Sequence, residues 1–348
     1  CAKHISALDS HTIPEKPKDC TWTVHYRPVG VTGLIVPWNF PIGMIAKKLS
    51  AALAAGCPSV IKPASETPLT MIAFFSVMDK LDLPDGMVNL VMGKASVIGK
   101  VLCEHKDVPM LSFTGSTEVG RKLIVDTAEQ VKKLALELGG NAPFIVFDDA
   151  DLEDAVGAAV LANFYSSGQI CSNGTRVFLQ EGIREAFLDR LSQRLGEVKM
   201  GDPLDPETQH GPIVSPAQAG KIRAMIAQGQ AAGARILCGG PGEGAFVPPT
   251  VFTDASDDMV IARDEIFGPV MTTLSFRDED EVGKRMPELL RDAAVAAADI
   301  RLLRRLDMRF QGQGYEVEVA LPDGAMAEVF DHLPELFRET YAATFSSS

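Results

Sequence analysis

Several common signatures of chemistry are missing from this sequence. The six cysteines (Cys1, Cys20, Cys57, Cys103, Cys171, Cys238) are widely spaced and form no C-x-x-C, and the six histidines form no H-E-x-x-H. A zinc site therefore has no ligand framework, and no metal is expected. There is no G-x-G-x-x-G, the usual dinucleotide fingerprint, and no G-x-S-x-G, the serine-hydrolase elbow. Gly115-Ser-Thr-Glu-Val-Gly120 has the glycine spacing of a P-loop, but Arg121 and Lys122 stand where Lys and Ser/Thr belong. That argues against nucleoside triphosphate hydrolysis. No run of 18 uncharged apolar residues occurs, since Lys47 and Lys48 break the best candidate, Met44 to Ala55. The first residues contain no apolar signal-peptide run. Positive charge is also short. With 33 Lys and Arg against 46 Asp and Glu, the net charge of −13 repels nucleic-acid phosphate and anionic membranes.

What is present is a large apolar fraction, 46% of 348 residues, enough to bury the cores of two domains and a remainder. A chain of this size does not need disulfides, so a reducing cytoplasm and free thiols are expected. From Val29 onward, short β-rich runs alternate with helical patterns. Strands are predicted at 31–37, 59–62, 87–92, 110–113, 134–138, 143–147, 176–180, 235–238 and 270–276. Helices are predicted at 44–55, 69–81, 96–105, 118–130, 152–165, 184–198 and 216–232. Residues 239–249 read as a glycine- and proline-rich loop. Near-continuous apolar strands between helices indicate an α/β fold with a parallel sheet covered on both faces. At Arg277 to Glu281 the character changes to a charge cluster. A helix over 284–305, an alternating strand from Tyr315 and a helix over 325–341 are predicted beyond it.

Several segments can carry chemistry. Phe113 to Gly120 follows a strand and opens a helix, where free backbone N–H groups can hold phosphate. Glu137 ends an apolar strand just before Gly139 and Gly140, as either a solvated strand end or a base. Cys171 lies in Gly168-Gln-Ile-Cys-Ser-Asn173, a small and polar context unlike that of a packing cysteine.

Val36-Pro-Trp-Asn-Phe-Pro41, Lys62-Pro-Ala-Ser-Glu-Thr-Pro68, Phe113 to Gly120, Glu137 to Asn141, Gly168 to Cys171 and Glu265-Ile-Phe-Gly-Pro269 occur in fixed order. In that order and spacing they resemble the NAD(P)-dependent aldehyde dehydrogenase superfamily over about residues 18–282. The part to about Asp154 is most similar to succinate-semialdehyde dehydrogenases, and the part from about Asn163 to betaine-aldehyde dehydrogenases. The resemblance implies a Rossmann-type cofactor domain over 1–138, truncated in front, and a partial α/β catalytic domain over 139–282. It implies an aldehyde substrate oxidised to a carboxylate, NAD or NADP as cofactor, and a homo-oligomer whose assembly segments are mostly missing. Cys171 matches the nucleophile, Asn39 the side-chain donor of the oxyanion hole, and Glu137 the general base. Trp38, Lys62, Ser65, Gly115, Ser116, Glu265 and Phe267 match positions around the cofactor.

Some positions depart from the pattern. Ser65 stands where many NAD-preferring members have Glu, which leaves room for a 2′-phosphate, although Glu66 beside it opposes one. Lys47 and Tyr165 replace arginines of the semialdehyde-acid enzymes, and Asn173 replaces a second cysteine. After residue 282, Leu306 to Pro322 and the later helix resemble a segment of the hydantoinase A/oxoprolinase family, giving an α+β tail over 283–348 with no matching packing partner. A hydantoinase-type amidohydrolase and an inactive aldehyde dehydrogenase remnant are the rival readings.

Overall fold

The structure, a computed structural model, describes residues 11–12, 19–290, 305–308, 317–320 and 332–340. Two compact units divide the chain, one running to Asp278 and the other starting at Glu279.

A short antiparallel ribbon, β1 (His11–Thr12) with β2 (Thr23–Val24), precedes the first sheet. That sheet contains β3 (Thr32–Ile35), β4 (Ser59–Lys62), β5 (Val88–Leu90), β6 (Met110–Gly115) and β7 (Lys133–Leu138). Its order is β5-β4-β3-β6-β7 and every pair is parallel. The connecting helices are α1 (Pro41–Ala54), α2 (Pro68–Met78), α3 (Ala95–Glu104) and α4 (Thr117–Thr127). Each start has a local cause. Pro41 opens α1 with its φ already set and no N–H to satisfy. Ser116 caps α4 by accepting from the Val119 N–H. In α1, Ile45, Leu49 and Ala52 return to one face at helical spacing, and Ile45 and Leu49 are buried with Leu34, Ile61 and Met71. Leu102, Leu111, Phe113 and Leu123 form a second cluster with α3 and α4.

The second sheet comprises β8 (Pro143–Val146), β9 (Arg176–Gln180), β10 (Arg235–Cys238), β11 (Thr250–Thr253) and β12 (Val270–Phe276), in the order β10-β11-β12-β9-β8. Only β10 runs antiparallel to its neighbour. Helices α5 (Leu152–Phe164) and α6 (Glu181–Gly196) contribute to one apolar cluster with Val177 and Leu179. Helices α7 (Pro216–Ala231) and α8 (Val260–Arg263) contribute to another with Phe252 and Val270. The expected doubly covered α/β architecture is present in both sheets.

The differences from expectation are local. Helix α1 begins at Pro41 and not at Met44, because the proline start outranks the apolar period. Strand β11 was not predicted. It is four residues long, buried on both faces and entered through Pro248 and Pro249, so it has no alternation to reveal it. In the second unit, α9 (Glu279–Leu290) starts five residues before the predicted helix, with Glu279, Asp280 and Glu281 in its first turn. There β13 (Arg305–Met308) pairs antiparallel with β14 (Val317–Ala320), and Val319 is buried with Phe337 of a helix over 332–340. The tail strand therefore has a partner, contrary to expectation. The predicted helical residues 291–304, 325–331 and 341, and the strand start at Tyr315, lie outside the described residues. No described helix is long and apolar enough to cross a membrane.

Leu111 is fully buried in β6, and a Cβ added at Gly33 on the adjacent β3 would lie 2.5 Å from its Cδ2. A core this tight cannot relax into a cavity. Leu111→Ala should cost about 2–5 kcal/mol in urea unfolding. A loss below about 1 kcal/mol would show that the sheet–helix layer is loosely packed.

Candidate active site

In the first sheet the chain leaves β3 toward β4 and β5, then crosses to the other side of β3 to form β6 and β7. The carboxyl ends of β3 and β6 thus mark a topological switch point, where open α/β sheets leave a crevice. Trp38 and Asn39 follow β3, Gly115 ends β6, and Ser116 begins the turn into α4. The α4 N-terminus offers free N–H groups at this edge. Glu137 lies one residue from the end of β7, and Lys62 ends β4. Burial lowers the Lys62 pKa, with Glu66 opposing.

A four-residue turn, 139–142, carries β7 into β8, so the carboxyl edge of the first sheet continues into the amino edge of the second. Strands β9 and β12 pair there, and the segments entering them carry Cys171 and Glu265–Phe267. The cysteine segment is unusually shaped. Ser166, Ser167 and Gly168 have φ of 52°, 54° and 68°, a left-handed turn that costs L-residues energy unless packing enforces it. Packing does enforce it. A Cβ on Gly168 would sit 2.2 Å from the Gly268 carbonyl oxygen, so only glycine permits this approach. Side chains stitch the turn in place: Ser167 Oγ donates to Gly211 O at 2.9 Å and Asn173 Nδ2 to Gly168 O at 2.8 Å. The Asn39 amide crosses from the first sheet, with Nδ2 donating to Gln169 O at 3.0 Å.

Asn141 joins three segments. Its Nδ2 donates to Ala262 O at 3.1 Å and Asp264 O at 3.3 Å, and its Oδ1 accepts from Thr175 Oγ1. The turn after Glu137, the segment between Cys171 and β9, and the end of α8 before Glu265 are thereby held together. Glu265 packs on Gly139, where a Cβ would fall 2.0 Å from its Oε2. Burial raises the Glu265 carboxyl above the usual range, and the Gly140 N–H it accepts opposes that rise.

These groups surround one cavity of about 1180 Å³. Of the ten expected site residues, Trp38, Asn39, Gly115, Ser116, Glu137, Cys171, Glu265 and Phe267 line it; Lys62, buried at the carboxyl end of β4, and Ser65, in the turn that follows, do not. Trp38 and Phe267 meet edge to face, with centroids 5.4 Å apart. Sequence reasoning missed Lys48 and Thr114, which also line it. Lys48 Nζ donates to Ser112 Oγ at 2.8 Å; burial lowers its pKa while Glu137 pulls it back up. Its signal in the sequence was a lysine pair interrupting an apolar helix. Two buried oxygens among the lining residues, Thr114 Oγ1 and Glu265 Oε1, have no hydrogen-bond partner. Buried polar atoms are ordinarily paired, so the cavity fits a polar ligand such as a dinucleotide.

The sequence profile of the Aldehyde dehydrogenase family matches residues 1–302. The chain belongs to the aldehyde dehydrogenase family. It is 47% identical to a betaine aldehyde dehydrogenase of Cereibacter sphaeroides over 279 residues, 79% of this chain and 57% of that protein. The chain spans little more than half the length of the curated relatives it matches. Among solved structures, an oxidoreductase from Marinobacter aquaeolei superposes with TM-score 0.79 at 64% identity, covering 84% of this chain and 61% of that one. A Staphylococcus aureus betaine aldehyde dehydrogenase in complex with NAD+ gives 0.79 at 36% identity, covering 84% and 59%. An Escherichia coli NADP dependent enzyme gives 0.79 at 39% identity, covering 84% and 60%. The profile match passes the point near residue 282 where the resemblance was expected to end, and the hydantoinase resemblance of the tail finds no support.

A raised Glu265 carboxyl makes its charged form unfavourable in the folded chain, so stability is lost as pH rises through that value. Glu265→Gln removes the cost. Its melting temperature should match the parent chain at about pH 4 and exceed it at about pH 8. An advantage largest at low pH would contradict the burial argument.

Proposed function

We propose that the chain carries the reactive half of an aldehyde oxidation in which Cys171 is the nucleophile, with residues 19–138 holding a nicotinamide dinucleotide and 139–278 holding the thiol. The observation that carries this reading is the Asn39 amide lying against the Cys171 segment, with Nδ2 3.0 Å from Gln169 O. The Cys171 thiolate adds to the aldehyde carbon and forms a thiohemiacetal. The second N–H of Asn39 and the main-chain N–H of Cys171 hold the developing oxyanion. NAD or NADP, when bound, supplies the hydride acceptor. Glu137 then takes a proton from the water that attacks the Cys171 thioester, and the carboxylic acid leaves. Glu265 and Phe267, with Gly115, Ser116 and Lys62, hold the cofactor around Trp38. Family membership favours this reading over an amidohydrolase. Betaine aldehyde and succinate semialdehyde are the first substrates to assay.

Aldehyde-dependent absorbance of reduced nicotinamide tests the reading. Cys171→Ala should abolish it. Glu137→Gln should keep a single burst and lower steady turnover about 10²–10⁴-fold, because only thioester hydrolysis needs the base. Loss of the burst as well would give Glu137 a structural role instead.

Ser65 sits in the exposed turn after β4, beside Glu66. Its small hydroxyl leaves room for a ribose 2′-phosphate, so NADP should bind at least as well as NAD. Ser65→Glu should shift preference toward NAD about tenfold or more, since a carboxylate repels the phosphate and accepts from the 2′-hydroxyl. Separate titrations with each dinucleotide measure this, and an unchanged ratio would remove Ser65 from the ribose site.

A further inference from the structure

Gln169 is buried, 7% exposed, and lies two residues before Cys171. Three of its groups are fixed. Its Oε1 accepts from the Val214 N–H at 2.9 Å, its Nε2 donates to Ser166 O at 3.2 Å, and its main-chain oxygen accepts from Asn39 Nδ2 at 3.0 Å. The last contact settles a geometric question. A side-chain amide can turn over, presenting either oxygen or NH2 to a neighbour. A carbonyl only accepts, so Gln169 O forces Asn39 to present its NH2. One N–H is then engaged and the other is held in a fixed direction. That direction is only as firm as the Gln169 carbonyl. Gln169 sits immediately after three left-handed residues, a backbone held by packing and not by preference. Its side-chain bond to Val214 ties this point to the 211–214 segment, which Ser167 also grips through Gly211.

We propose that Gln169 is a positioning residue: by anchoring its own carbonyl to the 211–214 segment, it orients the Asn39 amide as an oxyanion donor to Cys171. This rests on the role given to Asn39 above, and the test separates the two.

The test needs no bound dinucleotide. Acylation by p-nitrophenyl acetate forms a bond from Cys171 Sγ to the acetyl carbon and breaks the bond to p-nitrophenolate, passing through a tetrahedral oxyanion. Alkylation by iodoacetamide displaces iodide at a saturated carbon and forms no oxyanion. The ratio of the two rates at Cys171, each corrected with the Cys171→Ala chain, therefore reports the oxyanion donor alone. Asn39→Ala should lower acylation about 10- to 100-fold with alkylation changed less than about threefold. Gln169→Met, which keeps the volume but loses both side-chain bonds, should lower acylation about tenfold with the same small effect on alkylation. The double variant should fall no further than Asn39→Ala, because the two act through one donor.

If Asn39→Ala lowers the ratio and Gln169→Met does not, Asn39 keeps its role and the proposal for Gln169 falls. Parallel loss of both rates in Gln169→Met, or additive losses in the double variant, would each overturn it. An unchanged ratio in Asn39→Ala would remove the oxyanion role itself and the proposal with it.

Discussion

The approach of Gly168 to the Gly268 carbonyl is the constraint on which the rest of the site depends. Two segments enter paired strands side by side, β9 after Cys171 and β12 after Phe267, and their backbones touch only because Gly168 has no side chain. Left-handed Ser166, Ser167 and Phe267 surround that contact, so the strain is shared across both segments. Such strain persists only where neighbours over-determine it. Here the neighbours are hydrogen-bonding side chains: Ser167, Gln169 and Asn173 on one segment, and Gln218, whose Nε2 donates to Phe267 O at 3.1 Å, on the other.

Polar clamping, more than apolar packing, unites the two sheets at the cavity. Among the described residues, the four large apolar clusters belong to one sheet or the other. Among the contacts that cross between them are the Asn39 bond to Gln169, the three-way grip of Asn141 and the seat of Glu265 on Gly139, beside one ring contact, Trp38 on Phe267. Hydrogen bonds are directional and individually modest, so they set geometry at little cost in rigidity elsewhere. A reactive site needs that combination, because small misplacements of a donor or nucleophile are expensive.

How much was legible in the sequence follows from the range of each signal. Strands β4, β9, β10 and β12 matched their predicted bounds because apolar runs between turn residues are local patterns. Eight of the ten expected site residues gather at one cavity, because motifs at strand ends meet wherever the topology brings those ends together. Strand β11 escaped because burial on both faces erases alternation. The pairings of Lys48, Asn141 and Gln169 escaped for another reason: each has a partner 64 to 130 residues away along the chain, at Ser112, Ala262 and Asn39 respectively, and no local pattern encodes such a pairing.

Net charge gives a further lesson about range. A chain at −13 repels polyanions as a whole, yet the cavity wall holds Arg27, Lys47, Lys48, Lys133 and Lys221 against Glu137 and Glu265. Beyond about 8 Å in physiological salt, exposed charges are largely screened, so a ligand inside the cavity responds more to the wall than to the distant surface. The wall is cationic. It suits the two phosphates of the proposed dinucleotide, while the acidic exterior discourages nucleic acid from the same entrance. The same field bears on Lys48 and Glu137: burial favours the neutral amine, the carboxylate favours the ammonium, and the neighbouring Lys47 adds to the first. The lysine's position is fixed by its bond to Ser112.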